Sequence, residues 1–219
     1  MGEAAADRVL WGCATSRTIR AHWALHELGL PYRCEPILAR SGETLTPRYT
    51  AVNPRQKIPA LQDGDLVVTE SAAIINYLSA TYGRDGDRLV PTDAPGRARY
   101  DEWCFFIVSE LDATSLYVLR RHLGLPQVYG EAPAAVEAAT AYFGKQARTV
   151  AASLDDGRRW LLGEAFSGAD MLLATCLDWA LRYELPLADS LLAFRDRAAA
   201  RPAYAAALEA NRSEFWSGR

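Results

Sequence analysis

Residues 53–82 read NPRQKIPALQDGDLVVTESAAIINYLSATY. Two short apolar runs, Ile58-Pro59-Ala60-Leu61 and Leu66-Val67-Val68-Thr69, flank Asp63-Gly64, which predicts two strands joined by a tight hairpin. Past Ser71, the residues Ile74, Ile75 and Leu78 share one face at helical spacing. The segment therefore reads β-β-α. Upstream, Val9-Leu10-Trp11-Gly12 reads as a buried strand ending in a turn. Ala21, Ala24, Leu25 and Leu28 then predict a helix over residues 16–28, which Gly29-Leu30-Pro31 stops. Residues 32–37 read as a second strand, and residues 38–56 as irregular chain with one helical turn after Pro47. A β-α-β unit followed by a β-β-α unit predicts an α/β domain of residues 1–83.

The pattern changes in residues 83–96, GRDGDRLVPTDAPG, which are rich in Gly, Pro and Asp; residues 84–96 are read as a linker. Beyond it no convincing strand pattern occurs. Tyr100, Trp103, Cys104, Ile107, Val108 and Leu111 form a long helical stripe. Further helices are expected over residues 133–154, 171–183, 188–200 and 202–212. Residues 171–183 are apolar almost all round, which predicts a buried central helix. Ser167-Gly-Ala-Asp170 ahead of it fits a capping box with Asp170 in the Glu position. Residues 97–219 are thus expected to form an all-helical domain.

Composition narrows the function classes. A chain of 219 residues, half of them hydrophobic, has room for two small domains with real cores. Lys and Arg total 24 against 27 Asp and Glu, a net charge of −3, which argues against a nucleic-acid face. No apolar run approaches the ~18 residues of a membrane span. The MGEAAADR start has neither a basic n-region nor an apolar h-region, so no secretory signal is expected. Cys13, Cys34, Cys104 and Cys176 are far apart and read as reduced thiols of a cytoplasmic protein. With three histidines and no CxxC, no metal site is expected.

Three segments can carry chemistry. The turn Gly12-Cys13-Ala14-Thr15-Ser16-Arg17 lies between a strand and a helix, where unpaired N–H groups and the helix dipole favour an anion. A hydroxyl of Thr15 or Ser16, or the Cys13 thiol, can act there. The plainer reading makes Thr15 or Ser16 an N-cap and Cys13 a small residue filling a tight turn. In Asn53-Pro-Arg-Gln-Lys57-Ile58-Pro59, a proline enters a strand. A cis Ile58–Pro59 bond would leave the Ile58 N–H and C=O to a peptide-like ligand; a trans bond reads as an ordinary edge strand. At Glu70-Ser71 a strand runs into a helix, so the carboxylate can accept from an ammonium while Ser71 and the N–H groups beyond hold a carboxylate. The plainer reading is again a capped helix.

Jointly, the strings LWGCATSRTIRAHWALHELGLPY, NPRQKIPAL and DLVVTESAAIINYLSATYG resemble the thioredoxin-like domain of cytosolic glutathione transferases, of a bacterial type with a serine- or threonine-like active site. Ile58 and Glu70 stand twelve apart, the spacing that family uses between its backbone clamp and its glutamyl contact. SGADM opening a buried helix fits the family's C-terminal domain. The resemblance implies a thioredoxin-like α/β domain followed by an all-α domain, and a cytoplasmic homodimer. It implies glutathione as co-substrate, no metal, and conjugation to small hydrophobic electrophiles, a detoxification chemistry.

Carried over by position, Ile58 would hold the cysteinyl part of glutathione through its backbone, beside a cis Pro59. Lys57 would approach the glycyl carboxylate, and Glu70 and Ser71 the γ-glutamyl end. The family often has another basic residue near Thr44 and Leu45; here Arg40 or Arg55 would have to substitute. Ser16 is favoured over Thr15 as the hydroxyl that activates the sulfur. The alternatives on this scaffold are a glutathione-dependent peroxidase or disulfide reductase using Cys13, and a non-catalytic carrier of hydrophobic ligands.

Overall fold

The structure, a computed structural model, describes residues 8–212. The chain divides into two compact units. One comprises the residues up to Val90 together with those from Ala200 onward, and the other runs from Pro91 to Ala199.

The first unit is built on four strands, β1 (Arg8–Trp11), β2 (Arg33–Glu35), β3 (Ala60–Asp63) and β4 (Leu66–Thr69), in the order β2-β1-β3-β4. β1 is parallel to β2 and antiparallel to β3, and β3 is antiparallel to β4. Helix α1 (Thr18–Glu27) connects the parallel pair, as a crossover must. A single 3₁₀ turn (Glu43–Leu45) and the short α2 (Pro47–Val52) fill the stretch read as irregular, and α3 (Ser71–Tyr82) follows the hairpin. Thr46 caps α2 by accepting from the Tyr49 N–H, and Pro47 opens it. The hairpin turns on Gly64, at φ 59°, with Asp63 opposite Leu66. The β-α-β, β-β-α order and the α/β class are those predicted, although β2 is shorter than the six residues expected.

The second unit is helical: α4 (Ala94–Phe106), a π-helical stretch (Ile107–Leu116), α5 (Tyr117–His122), α6 (Pro126–Tyr129), α7 (Pro133–Ser153), α8 (Gly168–Arg182) and α9 (Asp189–Ala199). Its centre is α8, of which twelve residues are buried, Gly168 to Leu177 without a break. The capping box forms as expected. The Asp170 carboxylate accepts from the Ser167 N–H (2.7 Å), the Ser167 hydroxyl (2.7 Å) and the Leu161 N–H (2.8 Å).

Two boundaries differ from the sequence reading. The expected linker 84–96 is partly built into the first unit: Leu89 and Val90 are buried, and both donate their N–H groups to the Ser79 hydroxyl on α3. The last helix, α10 (Pro202–Ala210), belongs with the α/β unit and not with the helical one. Tyr204 packs edge-on against Trp23 of α1 with centroids 4.7 Å apart, and Arg201 forms a bidentate pair with Glu27, both contacts at 2.6 Å. Helical periodicity identified α10 correctly, but periodicity carries no information on which core receives the apolar face.

Candidate functional site

Strand register brings the three chemical segments together. Trp11, the last residue of β1, pairs with Ala60, the first of β3, and Ala60 pairs with Thr69, the last of β4. The turn after Trp11, the Ile58-Pro59 approach to β3 and the Glu70-Ser71 exit from β4 therefore leave one end of the sheet side by side.

Close packing then seals two of them. Gly12 has φ +108°, and a Cβ on it would stand 2.5 Å from the Ile58 Cβ, so only glycine fits. The Lys57 carbonyl is held from two sides, by the Tyr49 hydroxyl (2.5 Å) and the Asn53 side-chain amide (2.7 Å). The Ile58–Pro59 bond is cis. Among the described residues, neither the Ile58 N–H nor its C=O has a hydrogen-bond partner. The Lys57 side chain is exposed.

Glu70 also adopts an uncommon backbone, φ 68°, where the strand turns into α3. Its carboxylate is exposed and lies 3.3 Å from the Arg55 guanidinium. Arg55, considered above as one substitute for a basic residue near Thr44 and Leu45, thus pairs with Glu70. Ser71 is buried, with its hydroxyl 3.5 Å from Arg20 of α1. Arg20 is itself 1% exposed. The place of this arginine four residues after Ser16 is legible in the sequence and favours Ser16 over Thr15 there; its burial is not.

The turn of residues 12–17 separates the candidate groups. Cys13 is fully buried, and burial, aided by the charges of Cys34 and Glu43, pushes its thiol up to about 11. Thr15 is the effective cap of α1: its hydroxyl accepts from the N–H groups of Thr18 (2.9 Å) and Arg17 (3.3 Å), and it lies 2.9 Å from the Thr18 hydroxyl. Ser16 is half-buried, and its side chain has no hydrogen bond among the described residues. The N-cap reading therefore fits Thr15. Behind the turn, His22 Nε2 lies 3.3 Å from the Gly12 carbonyl, and Nδ1 lies 2.7 Å from the Tyr32 hydroxyl. Burial drives the His22 imidazole down to about 4, so it is neutral at pH 7.

In the helical unit, Tyr100, Cys104 and Ile107 of the long stripe are buried, and Trp103 is half-buried beside Phe106. No group of three or more His, Cys, Asp or Glu among the described residues is arranged to hold a metal ion. No helix there is long and apolar enough to cross a membrane.

Known proteins share the sequence pattern and the fold. Residues 15–81 match the family model described as Glutathione S-transferase, N-terminal domain, and residues 107–202 the one described as Glutathione S-transferase, C-terminal domain. Glutathione S-transferase GstA of Escherichia coli O157:H7 is 34% identical over 166 residues, which are 74% of this chain and 77% of that protein. The chain belongs to the glutathione S-transferase family. Bovine glutathione S-transferase theta-1 is 30% identical over 148 residues, 67% of this chain; the match spans only 61% of that relative's length. Among solved structures, the theta class glutathione S-transferase of Xanthomonas axonopodis pv. citri, with glutathione bound, superposes with a TM-score of 0.79 at 28% identity, covering 93% of this chain and 97% of that one. The family match accounts for the α/β unit and the helical unit alike.

Proposed function

We propose that the protein conjugates the thiolate of glutathione to small hydrophobic electrophiles, with Ser16 activating the sulfur. The observation that carries this reading is the convergence, at one sheet end, of the Ser16 hydroxyl and the Ile58 backbone, both without hydrogen bonds among the described residues, with the Glu70-Ser71 corner. Ile58 offers one donor and one acceptor to the cysteinyl backbone, as a paired strand would. Glu70 takes the γ-glutamyl ammonium, Ser71 and the first N–H groups of α3 take its carboxylate, and Lys57 takes the glycyl carboxylate.

A free thiol has a pKa of ~8.5, so only a few per cent is ionised at neutral pH. Lowering it by about two units stabilises the thiolate by roughly 2.7 kcal/mol. One hydroxyl donor at the N-terminus of α1, with the helix dipole behind it, can supply that. The thiolate then attacks the electrophile directly, with no covalent enzyme intermediate. The reading includes a homodimer in the cytoplasm and a detoxification role.

The competing reading, a peroxidase or disulfide reductase working through Cys13, needs a thiolate that burial opposes. Turnover of a chloronitrobenzene and of an organic peroxide, measured side by side with glutathione, separates the readings. Conjugation supports the proposal, peroxide reduction alone favours Cys13, and tight glutathione binding without turnover indicates a carrier.

A further inference from the structure

Asn211 stands just past α10, 1% exposed, and nearly two hundred residues from the turn that carries Ser16. It nonetheless holds that turn directly. The Ala14 N–H donates to the Asn211 carbonyl (2.8 Å), the Asn211 side-chain Nδ2 donates to the Thr15 carbonyl (3.2 Å), and the Thr18 hydroxyl lies 2.6 Å from Asn211 Oδ1.

Counting protons gives these contacts a direction. The Thr15 carbonyl can only accept, so the amide nitrogen of Asn211 must face it and Oδ1 must face Thr18. Oδ1 can also only accept. The Thr18 hydroxyl therefore gives it its single proton, in preference to the Thr15 carbonyl at 3.0 Å, which already accepts from Ile19 N and Asn211 Nδ2. Thr18 Oγ1 is then an acceptor toward the Thr15 N–H (3.0 Å) and toward the Thr15 hydroxyl (2.9 Å). The Thr15 proton is committed to Thr18, and its lone pairs are committed to the N–H groups of Thr18 and Arg17.

We propose that Asn211 is the positioning residue that selects the sulfur-activating hydroxyl: by taking the Thr18 proton it locks Thr15 into the helix cap and leaves Ser16 as the donor. The inference rests on reading residues 12–17 as the sulfur site. Asn211→Ala removes only the side-chain contacts, since the Ala14–Asn211 backbone bond survives. Thr18 then turns its proton elsewhere and Thr15 loses its fixed orientation.

The test uses the full chain with glutathione bound, reading the pKa of the bound thiol from thiolate ultraviolet absorbance, and kcat and KM with a chloronitrobenzene. Asn211→Ala is expected to raise the thiol pKa by about one unit and to lower kcat roughly tenfold, as for a misplaced catalytic group. The KM for glutathione should hold. In a Ser16→Ala background the same substitution should cost nothing further, because the released Thr15 hydroxyl can reach the sulfur. Thr18→Val should behave as Asn211→Ala does, and Thr18→Ser should restore native values; this pair carries the test should Asn211→Ala fail to fold. A native thiol pKa in Asn211→Ala, or in Thr18→Val, overturns the proposal. So does an equal loss in both backgrounds, which would make the role merely structural. A native thiol pKa in Ser16→Ala alone would instead overturn the reading of Ser16.

Discussion

Two substitutions three residues apart, Cys13→Ala and Ser16→Ala, test how the sulfur of glutathione is ionised. Cys13 is fully buried and its thiol is pushed up to about 11. At pH 7 that leaves roughly one thiolate in 10⁴, against a few per cent for an ordinary thiol. Its replacement by alanine removes one buried sulfur and leaves the backbone bond from Cys13 N to the Ile37 carbonyl in place. Conjugation should change by less than about twofold, a barrier change under ~0.5 kcal/mol.

Ser16→Ala removes the hydroxyl proposed to donate to the sulfur. The bound thiol should rise by about two units, costing roughly 2.7 kcal/mol of thiolate stabilisation, or about 100-fold in rate well below the native thiol pKa and about 25-fold at pH 7. The sign of the pH dependence follows. The variant's thiol ionises at higher pH, so its deficit is largest near pH 6 and shrinks as pH rises through its raised pKa. Chloronitrobenzene conjugation from pH 6 to 9.5, with mass spectrometry of the native protein after glutathione treatment, makes the measurement. An inactive Cys13→Ala together with a mixed disulfide on Cys13 would refute the reasoning. A Ser16→Ala deficit that stays constant with pH would show that the hydroxyl does not act on thiol ionisation.

Glu70→Ala should weaken glutathione binding by ~1.5–3 kcal/mol by calorimetry, as for a hydrogen bond to a charged group, while its exposed pair with Arg55 contributes little to stability. Gly12→Ala forces a Cβ to 2.5 Å from Ile58 at a φ of +108°, and should lower both unfolding free energy, by about 1–3 kcal/mol, and glutathione affinity. Asp170, fully buried, has its carboxyl raised from 3.8 to about 6 by desolvation. The folded chain therefore holds this proton more tightly than the unfolded one, so its contribution to stability is full below about pH 4 and is lost as pH rises toward about 6, by roughly 3 kcal/mol. In Asp170→Asn that component of the pH dependence should vanish from urea titrations, while near pH 4 the variant is the less stable, having lost an acceptor for Ser167 or Leu161.

The sheet, its hairpin, the capping box and the buried α8 were legible because each is dictated locally. Alternation, a turn at Asp63-Gly64 and helical spacing act over fewer than about twenty residues, and α8 announces its burial by being apolar all round. Segments without such a signal were misread. The run containing Leu89 and Val90 looks like a linker by composition, yet two N–H groups find one serine hydroxyl on α3. The π-helical stretch Ile107–Leu116 is indistinguishable from α-helix by residue type, since its hydrogen bonding is a property of the backbone. For the site, residue types and spacing located the three segments, and strand register explains why they meet.

The choice between Thr15 and Ser16 is a different kind of problem. Both are small hydroxyl residues at the same helix start, and either is an acceptable cap. Nothing within ten residues breaks the tie, because Thr18, which accepts the Thr15 proton, is itself a hydroxyl that could point either way. The asymmetry enters through Asn211, whose amide has one end that only donates and one that only accepts. That amide reaches the turn because α10 packs on α1 through Tyr204, Trp23, Arg201 and Glu27. The same misassignment that placed residues 202–212 with the helical domain therefore hid the residue that orders the hydroxyls. On the proposal that Asn211 orders the hydroxyls, which one is left to meet a sulfur depends on the docking of the last helix onto the first, and a reading confined to local sequence could only leave it open.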